Sequence, residues 1–277
     1  GLLGDIVSVQ HLEPVGYWHQ AHSYVRGNWR NSAESSFMLM TKSCHDLDWL
    51  RYIVGSKCVK ISSFGNLKHF RKANKPVHAS SRCLECCYKD ECPYSATKIY
   101  LALAQRGVFS WPVNVITTNF TIDGVKEALR SGPYGRCVYE CDNDVVDHQV
   151  VNMLFENEST ASFTMTAFDF VGQRRTNIFG TKGCIQGNGD KITYLDFRTG
   201  HKNVIDIGIS DDGTLRTGHG GGDYELTKNF LMAVACNDPS RICSGPEETL
   251  ETHLSVFAAE RSRLESRVLC YTSKGWI

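Results

Sequence analysis

His148-Gln149-Val150-Val151-Asn152-Met153-Leu154-Phe155, then Glu156-Asn157-Glu158-Ser159, then Thr160-Ala161-Ser162-Phe163-Thr164-Met165-Thr166-Ala167-Phe168: this stretch decides the class of the fold. Both outer runs alternate along their length, and a short polar link joins them, so they read as a β-hairpin. Phe163, Met165 and Ala167 point one way, with Thr164 and Thr166 between them. Threonines on the second face suit a half-dry contact surface. Downstream, residues 176–179, 183–186, 191–197 and 203–209 continue the meander, and upstream residues 6–13 and 59–67 read as further strands.

Helical periods lie before and after these strands. From Phe37, apolar or small residues recur at Met40, Cys44, Leu47, Leu50 and Val54, and Gly55 stands where a left-handed cap is usual. Residues 94–105, 123–130, 224–234 and 247–264 are further helices. Strands in succession with helices gathered around them predict an α+β fold. Its large open sheet is mainly antiparallel, with helices on one face. No Gly-x-Gly-x-x-Gly joins a strand to a helix, so the chain carries no dinucleotide-binding fold of its own.

Composition narrows the class of function. The 277 residues are 42% hydrophobic and 22% charged, ordinary values for a globular protein. Lys plus Arg and Asp plus Glu number 30 each, so no net field favours nucleic acid or an anionic membrane. No apolar run is long enough to cross a bilayer. The 12 cysteines are unevenly spread and unlike the framework of a small secreted domain, which leans towards a reducing, cytoplasmic setting. The chain opens at Gly1 and its first methionine is Met38, which reads as the loss of an upstream segment.

Several residue groups carry candidate chemistry. Lys42 and His45 project from the same side of the 37–54 helix, with Trp49 one turn on. Imidazole suits removal of a hydroxyl proton near neutrality, and an adjacent ammonium would hold it neutral and face a developing alkoxide. The alternative is a structural histidine. Residues 17–30 are dense in aromatic and basic side chains and read as a functional loop. In it Trp18 offers a flat face to a sugar, while His19, His22, Arg26 and Arg30 offer hydrogen bonds. Packing of the aromatic rings onto the sheet is the competing view.

Asp147 and His148 lie at a turn and would touch substrate if that turn faces the pocket. His219, in the run His219-Gly220-Gly221-Gly222-Asp223, opens a helix whose amides suit an anion or a sugar hydroxyl, or else simply lets the chain enter that helix. Cys83, Cys86, Cys87 and Cys92 lie in a long insertion, residues 68–93, that needs a staple. Their spacing is within range for a structural zinc; free thiols or disulfides are the alternatives.

Four motifs, in order along the chain, resemble the C-terminal domain of the glucose-fructose oxidoreductase, inositol dehydrogenase and MocA (Gfo/Idh/MocA) family. They are Gly4-Asp5-Ile6-Val7-Ser8-Val9-Gln10, Cys44-His45-Asp46-Leu47-Asp48, Phe179-Gly180-Thr181-Lys182-Gly183 and the run at His219. The resemblance implies that residues 1–277 are one substrate-binding and oligomerisation domain. It also implies that NAD or NADP is held by an N-terminal Rossmann domain absent from this chain, which alone would be inactive. The implied substrate is a sugar, polyol or related cyclic alcohol, with His45 and Lys42 handling the proton, and the implied assembly is a homo-oligomer through the open sheet face. An NAD-dependent glycosidase relative and a non-catalytic binding module are the alternatives. Where many members place an Asp before the helix histidine, this chain has Thr41, with Lys42 beside it.

Overall fold

The computed structural model describes residues 1–170, 172–207, 221–242 and 244–277. Among them the strands are β1 (Ile6–Pro14), β2 (Cys58–Asn66), β3 (His148–Phe155), β4 (Thr160–Thr166), β5 (Arg175–Gly180), β6 (Gly183–Gly187), β7 (Lys191–Asp196), β8 (Lys202–Asp206), β9 (Leu269–Thr272) and β10 (Gly275–Trp276). The helices are α1 (Tyr17–His19), α2 (Met38–Val54), α3 (Ala102–Gln105), α4 (Val113–Ile116), α5 (Ile122–Ser131), α6 (Gly222–Cys236) and α7 (Pro246–Glu265). The strands form one sheet in the order β10-β9-β2-β3-β4-β1-β5-β6-β7-β8. Its pairs are antiparallel except β1 with β4, which run parallel because the chain returns to β1 only after the β3–β4 hairpin. The fold is therefore α+β with a mainly antiparallel sheet, as the strand pattern predicts.

The period-2 pattern of the hairpin sets what is buried. Ala161, Phe163 and Met165 of β4 and Val151, Met153 and Phe155 of β3 all face inward. They meet Leu47, Leu50 and Val54 of α2 and Val256 and Ala259 of α7 in the main core. Each such side chain contributes about 1.5–3 kcal/mol by leaving water. α2 stops at Gly55, whose φ of 68° is left-handed and whose N–H donates to the Arg51 carbonyl at 2.9 Å. α6 is different: Ala233 is its one buried residue, and Phe230, Leu231 and Val234 are exposed.

The structure departs from the sequence reading in four places. Residues 17–30 are not a loop: α1 runs into a π-helical stretch, Gln20–Arg26, because Ala21 and Val25 pack with Ile99, Tyr100 and Leu129 in a second core. The helix at 94–105 begins as another π-helical stretch, Thr97–Leu101, before α3. The chain end adds β9 and β10 beyond α7, and too few residues lie there for a period to show. The predicted 203–209 strand ends at Asp206, and residues 208 and 209 lie outside the described residues.

The 68–93 insertion holds mainly short turns, and hydrogen bonds fasten it. The Asp147 carboxylate accepts from the Lys68 and His69 N–H groups at 3.0 and 2.6 Å. Cys137 N–H donates to the Ser81 carbonyl at 2.8 Å, and the Arg82 guanidinium to the Leu129 carbonyl at 2.9 Å.

Candidate functional site

Alternation along β1 places Val9, His11 and Glu13 on the face under α2, and the three are almost fully buried. Asp46 of α2, also buried, meets them. Its Oδ1 lies 3.1 Å from His11 Nε2, and His11 Nδ1 lies 2.8 Å from the Thr176 hydroxyl. Donation from Nε2 to the carboxylate leaves Nδ1 to accept from that hydroxyl. Trp49 stacks on the His11 ring, with centroids 4.9 Å apart.

Arg174, just before β5, closes the cluster by donating to both Asp46 Oδ1 and His45 Nε2. Its Nε is also 3.0 Å from Glu13 Oε2, and Lys42 Nζ is 3.0 Å from Glu13 Oε1. Two cations and two carboxylates thus interlock beside His45, whose side chain is 59% exposed and so accessible from solvent. His45 borders a depression with Asp48, Trp49 and Glu248.

Electrostatics keep His45 neutral. Burial of part of the ring, aided by Arg174 and Lys42, holds its pKa below the ordinary value against the opposing pull of Asp46 and Glu13. For Asp46 burial acts upward, yet hydrogen bonds from His11 and Arg174 prevail and keep the carboxyl ionised. Lys42 also acts on His19, which burial, Lys42 and His22 together lower to about 4. Lys42 thus acts in the same direction on His19 and on His45.

The other predicted substrate residues are dispersed. Trp18 packs on Trp111 at 5.1 Å, and His19 and His22 meet the same indole edge-on. His22 is buried and hydrogen-bonded to the Tyr100 hydroxyl at 2.8 Å. Arg26 is a correction: the π-helical turn carries it into the second core, where Nε and Nη2 donate to the Arg136 and Tyr94 carbonyls, both at 2.8 Å. Arg30 is held by Asp142 with two hydrogen bonds of 2.9 Å on the side of residues 140–144.

Asp147 is a second correction: it is fully buried and anchors the insertion rather than lining a pocket. His148, bonded to it at 2.7 Å, alternates onto the sheet face opposite α2 and away from His45. His219 lies outside the described residues. Of the four cysteines in the insertion, Cys87 is exposed, with its thiol on the His78 carbonyl. Among the described residues no three His, Cys, Asp or Glu side chains stand at metal-ligand spacing.

Glu13, His11 and Arg174 were not singled out in the sequence. The strand period could have flagged His11 and Glu13, since both share the parity of the apolar Val9. Nothing local marks Arg174.

Residues 1–235 match the family model for the C-terminal alpha/beta domain of an oxidoreductase family, Gfo/Idh/MocA. No curated protein matches the chain. Among solved structures it is similar to an oxidoreductase from Agrobacterium radiobacter in complex with NAD+, L-tartaric acid and magnesium; identity is 12%, coverage 98% of this chain and 58% of that one, and TM-score 0.57. It is similar to scyllo-inositol dehydrogenase from Lactobacillus casei with bound NAD(H) and scyllo-inositol, with 14% identity, 97% and 57% coverage and a TM-score of 0.52. It is also similar to a super-repressor mutant of Gal80p from Saccharomyces cerevisiae, with 11% identity, 98% and 59% coverage and a TM-score of 0.56. At these identities the likeness concerns the fold, and the chain spans little more than half the length of each structure. With the model matched over most of its length, the chain belongs to the Gfo/Idh/MocA oxidoreductase family, in its C-terminal alpha/beta domain.

Proposed function

We propose that this chain is the substrate-binding and proton-handling half of an NAD(P)-dependent oxidoreductase acting on a sugar, polyol or related cyclic alcohol. One observation carries the reading: an accessible imidazole, His45, is held neutral with its Nε2 as acceptor, flanked by Arg174 and Lys42 on buried carboxylates. The substrate hydroxyl would replace the Arg174 N–H at Nε2 and pass its proton there. The two cations would then face the developing alkoxide. The bound polyol of the inositol dehydrogenase supports the substrate class.

The described residues do not fit a dinucleotide. They hold no glycine-rich turn between a parallel strand and a helix, and the one parallel pair, β1 with β4, is remote in sequence. The reading therefore assigns NAD(P) to a separate domain, and no step here is routed through it. The open sheet face, with Ser8, Gln10, Ser62, Asn152 and Ser162, serves self-association in the same reading. No helix among the described residues is long and apolar enough to cross a membrane.

A second reading, a non-catalytic binding module, draws on the likeness to Gal80p and on Thr41 in place of an acidic residue. Steady-state assays on a panel of polyols, with the chain joined to a family cofactor domain, separate the two. His45→Ala should lower kcat by about 10²–10⁴. Unchanged turnover would make His45 structural, and no turnover on any polyol by the unmodified protein would favour the module.

A further inference from the structure

Arg26 is the least compensated charge in the second core. Only 1% of it is exposed, and among the described residues no carboxylate pairs with it. Its Nη1 has no hydrogen-bond partner, while Nη2 lies 3.4 Å from Cys83 Sγ. Burying a cation costs several kcal/mol unless an anion or a full set of acceptors answers it. The ionisable groups acting on Arg26 are thiols and one phenol: Cys83, Tyr100, Cys141 and Cys92. A neutral thiol leaves the cation unbalanced, whereas a metal-bound thiolate balances it, since binding removes the thiol proton.

The space for such a metal exists. A cavity of about 270 Å³ beside Arg26 is lined by Cys83, Cys86, Cys92 and Cys137. Cys137 comes from a segment distant in sequence, hydrogen-bonded to the insertion at Ser81. Cys87 is turned away onto the His78 carbonyl, and Cys141 donates to the Cys137 carbonyl at 3.3 Å.

We propose that Cys83, Cys86, Cys92 and Cys137 form a tetrathiolate zinc site, with the buried Arg26 guanidinium donating to its sulfurs and offsetting part of its negative charge. Four soft sulfurs select zinc in a tetrahedral set. In this structure no three of these sulfurs stand at metal-ligand spacing. Closing onto Zn²⁺ requires side-chain rotation and a shift of the short turns that carry Cys83, Cys86 and Cys92. The ion would tie the insertion to the π-helical stretch that continues from His19.

The test uses the whole chain, purified reduced and incubated with Zn²⁺, then desalted. Elemental analysis should give about one zinc per chain. Four thiols should resist a thiol reagent until a chelator is added, and Co²⁺ in place of zinc should show tetrahedral thiolate absorption. Cys87→Ser should retain the metal, Cys137→Ser should lose it, and Arg26→Met should weaken it about 10–100-fold. Absence of stoichiometric zinc from the unmodified chain, or loss of metal in Cys87→Ser with retention in Cys137→Ser, overturns the assignment. The measurements on the unmodified chain decide the matter even if a variant fails to fold.

Discussion

His22 offers a direct measurement of what burial does to an ionisable group in this fold. Its ring is 2% exposed, stacked on Tyr134 at 5.1 Å, edge-on to Trp111 and bonded to the Tyr100 hydroxyl. Burial, with a contribution from Arg26, lowers its pKa from 6.5 to about 4. The folded protein therefore binds this proton less readily than the unfolded chain does. The stability that follows is fully present above pH 6.5 and is lost as pH falls towards about 4. At about 1.4 kcal/mol for each pH unit, the loss is at most about 3 kcal/mol. His22→Phe keeps a ring against Tyr134 but cannot titrate, and it leaves the Tyr100 hydroxyl without its hydrogen-bond partner. Urea denaturation of both proteins from pH 8 to pH 4, followed by tryptophan fluorescence, isolates the effect, because His19 and the carboxylates titrate in both. The wild type should be the more stable at pH 8, and its lead should shrink by up to about 3 kcal/mol by pH 4. A lead that stays constant over that range would refute the idea that His22 is held neutral by burial.

Two further substitutions probe the cluster and the core. Asp46→Asn removes the negative charge that His11 and Arg174 share and should destabilise the protein by about 3–5 kcal/mol, read as a lower urea midpoint at pH 7; an unchanged midpoint would mean that the buried charges do not depend on one another. Phe163→Ala empties a fully buried position of β4 against His11 and should cost about 3–5 kcal/mol, read in the same way; a loss below 1 kcal/mol would mean that the site collapses around the gap.

By itself the sequence determined the elements whose periods are long and uninterrupted. The β3–β4 hairpin was legible because Val151, Met153, Ala161, Phe163 and Met165 keep a strict parity, and one shift would turn the whole set to water. α2 was legible from its apolar stripe and its Gly55 stop, and with it the place of His45 on its accessible side. What only the tertiary structure decided concerns side chains whose neighbours are distant along the chain. Arg174 reaches His45 across 129 positions, and Glu13 meets Lys42 only because β1 lies beneath α2. The aromatic and basic run at 17–30 looked like a binding loop because polar and aromatic residues dominate its composition. Its two small apolar residues, Ala21 and Val25, pack into the second core, and the helical turn that buries them also buries His22 and Arg26. Composition shows which groups can bind a ligand, whereas packing decides which of them are left free to do so.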